Sequence, residues 1–221
     1  MRAIIFDLDG VIVHTDEYHY RAWKQLAERL GLPFDEKKNN RLRGVSRRES
    51  LDIVLEGSEL AALGEAEKTV LCDEKNASYV AFLQAMGPEA LSSEVRDTLN
   101  VLRRQGLKLA IGSSSKNAGL ILDKIGLGDF FDALCDGNDI THSKPDPEVF
   151  LKAATYLGLP AADCVVVEDA LAGVEAARRA GMKVFAMGDA GHCGSGDHNM
   201  ESFAELRDFW SLPFTETKGA L

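Results

Sequence analysis

Acidic and hydroxyl side chains follow three short apolar runs of this sequence, each at the point where the run ends. They are Asp7 and Asp9 after the run at 3–6, Ser113 after the run at 107–112, and Glu168 and Asp169 after the run at 164–167. In an open parallel α/β sheet, ligands bind at the carboxyl ends of the strands, so we expect these side chains to converge on one crevice. Clustered carboxylates repel one another, and a hard divalent cation such as Mg²⁺, which prefers oxygen ligands and often shares them with a phosphate, relieves that repulsion.

A lysine in a stiff loop adds a cation to this set. Lys144 lies in SKPDP at 143–147, where two prolines restrict the backbone. A fixed ammonium there can neutralise a phosphate oxygen or the nucleophile. A carboxylate nucleophile, a metal, a cation and a hydroxyl together suit phosphoryl transfer, in which positioning and charge stabilisation supply most of the catalysis.

Each of these features also has a purely structural interpretation. A D-x-D pair can begin a turn, and Lys144 alone can be a solvated surface lysine. Glu168-Asp169 and Ser113-Ser114-Ser115 can cap the helices that follow them. The order of the features favours chemistry, because all of them follow predicted strand ends or loops of one α/β chain.

The elements that must position these residues alternate along the chain. We predict strands at 3–6, 107–112, 133–135, 164–167 and 183–187, and helices near 16–30, 93–105, 116–125, 147–157, 170–180 and 201–210. This alternation predicts an α/β fold with a Rossmann-like parallel-sheet core, covered by helices on both faces. The block at 15–86 is rich in Glu, Ala and Leu and interrupts the alternation after the first strand. It is expected to form an inserted α-helical cap domain on a core made of 1–14 and 87–221.

Composition narrows the class of protein. The net charge of −10 argues against nucleic acid as a partner. The amino-terminal sequence MRAIIFDLDG resembles neither a signal peptide nor a membrane span, and the four cysteines form no C-x-x-C pair. We therefore expect a cytoplasmic protein that does not bind membranes. The segment HCGSGDH at 192–198 is expected to be a mobile loop rather than a metal site, and 188–221 carries no motif.

A basic stretch in the inserted block runs against the acidic background. Six of the twelve residues at 37–48, KKNNRLRGVSRR, are basic and none is acidic. The stretch can be a solvated helix face or an anion site. For the anion site, Gly44 allows a tight turn and Ser46 caps a helix that begins near Arg47. That helix terminus, with Arg43 and Arg47, would hold a second phosphate far from Asp7.

Four motifs in this order resemble those of the haloacid dehalogenase superfamily. They are FDLDGV at 6–11, Ser113 after a strand, SKPDP at 143–147 and VEDALAG at 167–173. The second aspartate, Asp9, is similar to the one in the phosphatase and phosphomutase branch. The resemblance implies that Asp7 forms an aspartyl phosphate and that Asp9 is the general acid and base.

The same resemblance implies the remaining roles at the core. Mg²⁺ would be held by Asp7, Asp169 and the Asp9 backbone carbonyl, with Glu168 as a direct or water-mediated ligand. Ser113 and Lys144 would bind the transferring phosphoryl group.

Further segments resemble the β-phosphoglucomutases more narrowly: TDEYHYRAW at 15–23, LRGVSRRESL at 42–51, KNASYV at 75–80 and GSSSKN at 112–117. This resemblance implies an enzyme that interconverts β-glucose 1-phosphate and glucose 6-phosphate through a bisphosphate intermediate. We expect the protein to be a monomer. Thr15 and His19 would help Asp9 into place during closure. The remaining implied substrate-binding residues are Trp23, Arg43, Gly44, Val45, Ser46, Arg47 and Lys75 on the cap, and Ser114, Ser115, Lys116 and Asn117 on the core.

Alternatives to the mutase remain open at this point. His19 and Trp23 can simply pack on the face of their helix. A Mg²⁺-dependent sugar-phosphate phosphatase carries the same four motifs and differs in letting water reach the phosphorylated aspartate. A non-catalytic phosphosugar-binding protein is disfavoured, because a binding module has no need of the pair Asp7 and Asp9.

Overall fold

A six-stranded parallel sheet forms the centre of the computed structural model, which describes residues 1–42 and 45–211. The strands are β1 (Ala3–Phe6), β2 (Lys108–Gly112), β3 (Ala133–Cys135), β4 (Cys164–Glu168), β5 (Lys183–Ala186) and β6 (His198–Asn199). Their order across the sheet is β3-β2-β1-β4-β5-β6. The protein thus has the predicted α/β fold.

Strand β1 lies between β2 and β4, which explains why all four of its residues are apolar and fully buried. Phe6 is in register with Ile111 of β2 and with Val167 of β4. The residues that follow these three positions therefore meet at one edge of the sheet.

The helices alternate with the strands as the sequence predicts. They are α1 (Asp16–Arg29), α2 (Glu36–Asn40), α3 (Arg47–Leu55), α4 (Glu65–Leu83), α5 (Ser93–Arg104), α6 (Ala118–Lys124), α7 (Glu148–Leu157), α8 (Leu171–Arg179), α9 (Gly188–His192) and α10 (Glu205–Ser211). Two large apolar clusters, one including Phe6 and the other Ile5, occupy the two faces of the sheet. Within the described ranges, no helix combines the length and the hydropathy that crossing a bilayer would require.

A third apolar cluster lies within the block inserted after β1. It joins buried side chains of α1, α3 and α4, among them Trp23, Leu26, Leu51 and Val54. None of its described members belongs to the two clusters that cover the sheet. We propose that these helices form the cap domain.

The chain after β5 forms a short helix, a loop and a two-residue strand. The segment at 192–198 ends helix α9 and leads into β6, where Phe185 of β5 pairs with His198. His198 also packs against the ring of Phe185, with 5.1 Å between ring centroids. Residues 193–197 form the predicted loop between α9 and β6, and its mobility stays a prediction.

Candidate active site

Three carboxylates and one lysine meet at the edge of the sheet where β1 and β4 end. Lys144 Nζ donates to Asp7 Oδ1 at 2.5 Å and to Glu168 Oε1 at 2.6 Å. Lys144, Asp7 and Glu168 are all buried. The other Glu168 oxygen accepts the backbone N–H of Ala170, which fixes the carboxylate at the start of α8. Lys144 is therefore part of the site and not a solvated surface residue.

The charges of this group do not balance. Burial raises the pKa of Asp7 well above its usual value; Lys144 opposes the rise, and Glu168, Asp169 and Asp9 add to it. Burial by itself lowers the pKa of Lys144, but the two carboxylates outweigh it and hold that pKa above its usual value. One lysine cannot compensate all the acidic groups, so the site favours a further cation.

Oxygen atoms of Asp7, Glu168 and Asp169 lie within 4.8 Å of one another. Glycines make room for two of these carboxylates. A Cβ at Gly10 would lie 2.1 Å from Asp169 Oδ2, and one at Gly173 would lie 1.8 Å from Glu168 Oε1. Hard oxygen donors at this spacing fit Mg²⁺. The carboxylate of Asp9 is not a member of this cluster, and a contribution of its backbone carbonyl stays a prediction.

Asp9 is held by Thr15. The Thr15 hydroxyl donates a hydrogen bond to Asp9 Oδ1, and Thr15 itself is buried immediately before α1. Burial raises the pKa of Asp9, and the Thr15 hydrogen bond offsets part of that rise. The hydroxyl thus links the candidate acid and base to the first residue of the inserted block.

A buried lysine in an aromatic cage forms the opposite wall of the site. Lys75 Nζ lies 2.9 Å from His19 Nδ1, 4.9 Å from the Trp23 ring centroid and 4.6 Å from the Tyr79 ring centroid. Burial and the nearby Arg47 lower the pKa of Lys75 to about 7. Burial, Lys75 and Arg47 also hold the pKa of His19 well below its usual range. Two cations, Lys75 and Arg47, thus lie close together beside the cavity.

Ser46 caps α3 as predicted: its hydroxyl accepts the N–H of Glu49, and the Glu49 side chain accepts the N–H of Ser46. Arg47, the first residue of that helix, lines the cavity. Burial lowers the pKa of Arg47. The predicted Arg43 and Gly44 lie outside the described residues.

Two other described arginines of the basic stretch form ion pairs with acidic side chains. Arg41 pairs with Glu56 at 2.6 Å. Arg48 contacts Asp52 at 3.3 Å and Glu65 at 2.8 Å. The charges of Arg41 and Arg48 are therefore paired with carboxylates of the inserted helices, which composition alone does not reveal.

The loop after β2 forms the core wall. Ser113 Oγ accepts the N–H of Ser115 at 3.1 Å, and Ser115 Oγ accepts the N–H of Asn117 at 3.2 Å. Asn117 Nδ2 donates to Asn76 Oδ1 of α4 at 2.9 Å, so this loop contacts the inserted helices directly. The serines therefore fold the loop that leads to α6.

One cavity of about 780 Å³ separates these walls. Thr15 is buried and does not line it. The predicted residues that do line it are Asp7, Asp9, His19, Trp23, Val45, Ser46, Arg47, Lys75, Ser113, Ser114, Ser115, Lys116, Asn117, Lys144, Glu168 and Asp169.

A profile of the haloacid dehalogenase-like hydrolases matches residues 1–181. The chain belongs to the haloacid dehalogenase-like hydrolase family. It is 43% identical over 189 residues to the β-phosphoglucomutase of Bacillus subtilis, covering 85% of this chain and 83% of that protein. It is 32% identical to a phosphorylated carbohydrates phosphatase of Thermotoga maritima, covering 83% of each chain.

A solved structure agrees with these relatives. The β-phosphoglucomutase of Clostridium difficile superposes with a TM-score of 0.87 at 33% identity, covering 96% of this chain and 97% of that one. This similarity spans both the sheet and the inserted helices.

Sequence reasoning did not identify two polar residues beside the cavity of this haloacid dehalogenase-like protein. Tyr79 stacks on His19 with 4.1 Å between ring centroids, and Asn76 bonds to Asn117. Both lie on α4 near Lys75, and Tyr79 is four residues from it, on the same face of the helix. That spacing was the available signal.

Proposed function

We propose that the protein is a phosphomutase that interconverts β-D-glucose 1-phosphate and glucose 6-phosphate through an aspartyl-phosphate enzyme and a bisphosphate intermediate. The observation that carries the proposal is the charge of the cavity. Asp7, Glu168 and Asp169 cluster at the sheet edge, and two cations of the inserted helices, Arg47 and Lys75, line the same cavity. A bisphosphate intermediate needs one site for the phosphate that reacts and a second site for the phosphate that does not. The similarity to the Bacillus subtilis β-phosphoglucomutase supports the same activity.

At the acidic wall, Asp7 is the nucleophile. One of its oxygens attacks the phosphorus, the bond between phosphorus and the sugar oxygen breaks, and an aspartyl phosphate forms. Lys144 and Ser113 neutralise and orient the phosphoryl oxygens. Mg²⁺, held by Asp7, Asp169 and Glu168, would shield the negative charge of the phosphoryl group from that of the carboxylates.

Asp9 moves the proton. It gives a proton to the departing sugar oxygen, and in the reverse transfer it takes one from the sugar hydroxyl that attacks the aspartyl phosphate. Its raised pKa suits this exchange, because burial favours the protonated acid that the first step needs. Thr15 holds Asp9 through a single hydrogen bond, which can be exchanged for one to the substrate.

At the basic wall, Arg47 and Lys75 bind the phosphate that is not reacting. Burial, and after it the neighbouring Arg47, lower the pKa of Lys75. A phosphate dianion between these two residues would stabilise the charged form of the lysine. A bisphosphate that turns over in the cavity would present each of its phosphates to Asp7 in succession.

Incubation with Mg²⁺ and β-glucose 1-phosphate, primed by a catalytic amount of the bisphosphate, tests this function. The mutase yields glucose 6-phosphate with little free phosphate. Release of phosphate as the main product would establish a sugar-phosphate phosphatase instead, the activity named for the Thermotoga maritima relative. Absence of both products would overturn the enzymatic assignment.

A further inference from the structure

An aromatic ring faces the lysine that contacts the nucleophile. Lys144 Nζ lies over the ring of Phe150, 4.7 Å from its centroid. Phe150 is fully buried in the first turn of α7, and Lys144 is almost completely buried. A cation over a ring face is attracted by the ring quadrupole, and the attraction is strongest where water is excluded.

The backbone of the sheet fixes the position of this ring. A Cβ at Gly112, the last residue of β2, would lie 2.9 Å from Cδ1 of Phe150 and 3.1 Å from Cγ2 of Ile5. The ring therefore occupies space that a side chain at position 112 would need. Tight packing against two central strands leaves it little freedom to move.

The partners of Lys144 differ in how they behave during the reaction. An ammonium has three N–H donors, and those of Lys144 reach Asp7 and Glu168. If Asp7 accepts a phosphoryl group, its carboxylate becomes an acyl phosphate. The Asp7 oxygen that accepts from Lys144 then no longer carries the charge of a carboxylate. The ring of Phe150 is unaltered by the reaction.

We propose that Phe150 is a positioning residue for phosphoryl transfer, whose ring face holds the Lys144 ammonium beside Asp7 in both states of the nucleophile. The inference rests on the proposed function, in which Asp7 is phosphorylated. It assigns to a core phenylalanine a role beyond packing.

Fluorinated phenylalanines at position 150 separate the electrostatic role from packing. One to three ring fluorines leave the shape nearly unchanged and progressively weaken the negative ring face. We expect the rate of phosphoenzyme formation from acetyl phosphate to fall stepwise along the series, reaching about tenfold with three fluorines. The midpoint of thermal unfolding is expected to stay nearly constant.

A second ring–cation pair provides a matched control. The guanidinium of Arg103 lies 4.8 Å from the Phe130 ring centroid, outside the cavity. The same fluorinated series at Phe130 is expected to leave the acetyl phosphate rate unchanged. Equal rates across the Phe150 series, or equal losses at both positions, would overturn the inference.

A structural measurement keeps the two proposals separate. In crystal structures of wild type and of a Phe150→cyclohexylalanine variant, which keeps a bulky ring without π electrons, we expect Lys144 Nζ to move away from Asp7. An unmoved Nζ would overturn the role of Phe150 whatever the activity. Absence of any phosphoenzyme in wild type would instead contradict the role of Asp7.

Discussion

The two walls of the cavity have opposite charge imbalances. At the sheet edge, burial and three neighbouring carboxylates raise the pKa of Asp7 despite its contact with Lys144. Across the cavity, burial and Arg47 lower the pKa of Lys75 to about 7. The charged form of Asp7 is therefore disfavoured at one wall, and the charged form of Lys75 is disfavoured at the other.

This difference indicates what the cavity is built to receive. A buried group with a depressed or raised pKa gains stability when an opposite charge arrives. In the proposed function, a divalent cation completes the acidic wall, and a phosphate completes the basic wall. Each of the following substitutions changes a group at only one of the two walls.

The largest effect is expected at Asp7, the proposed nucleophile. Asp7→Asn keeps the shape of the side chain and removes its nucleophilic charge, so turnover should fall by more than about a thousandfold while the protein stays folded. Asp163→Asn, at a half-exposed aspartate beside Arg2, is the matched control and should retain activity. Retention of more than about a hundredth of wild-type turnover in Asp7→Asn would exclude this role.

The next effect concerns the cation at the acidic wall. Asp169→Ala should raise the Mg²⁺ concentration for half-maximal activity by roughly tenfold or more, because even outer-shell partners of a metal contribute about that much. Titration of activity with Mg²⁺ measures it, with Asp129→Ala, an exposed carboxylate, as the control. Full activity of wild type in excess chelator would contradict the metal assignment.

At the basic wall, two adjacent arginines provide a direct comparison. Arg47→Ala should lower mutase turnover roughly ten- to a hundredfold, as expected for one charge-assisted contact of about 1.5–3 kcal/mol, and should divert phosphoenzyme to water. Arg48→Ala should have little effect, since Arg48 pairs with Asp52 and Glu65.

Acetyl phosphate gives the second readout for this pair. It has no distal phosphate, so it should phosphorylate Arg47→Ala nearly as fast as wild type. If both donors slow equally, or if Arg47→Ala and Arg48→Ala behave alike, the distal-phosphate site is wrong.

The smallest effect is on stability. Between pH 7 and the unfolded pKa of 10.5, the unfolded chain keeps Lys75 protonated while the folded protein does not, so wild-type stability rises with pH in this window. Lys75→Met removes the cost of burying the charge. Its gain in thermal unfolding midpoint at pH 6.5 should shrink by pH 9, by up to about 3–5 °C per pH unit.

Exposed Lys24 supplies the control, since Lys24→Met should shift the midpoint by the same amount at both pH values. A gain for Lys75→Met that does not change between pH 6.5 and pH 9 would argue against the depressed pKa.

Most of the sheet and the acidic wall could be predicted because their signals are local. The apolar run at 3–6 indicates a strand by itself, and parallel strands bring the residues that follow them to one edge. The residues that Lys144 contacts could not be predicted from local signals. Its contact with Asp7 spans 137 positions, and the sequence left a phosphate oxygen equally open.

The sequence is less informative where residues of the same type make different contacts in the folded protein. Arg47 and Arg48 are adjacent in one basic stretch and both line the cavity, but Arg48 forms ion pairs with Asp52 of its own helix and Glu65 of α4. Phe150 looks like any core phenylalanine until the fold brings Lys144 over its ring. Strand β6 has two residues and forms by pairing with β5, and the glycine-rich sequence before it does not predict this pairing.

The separate apolar cluster of the inserted helices has an evolutionary consequence. Leu51 and Val54 support the helix that carries Arg47, yet they share no cluster with Phe6, which precedes the nucleophile. Substitutions among them can reshape the roof of the cavity while the register of β1 stays intact. Selection can therefore diversify the choice of sugar phosphate in one set of positions while it preserves the transfer chemistry in another.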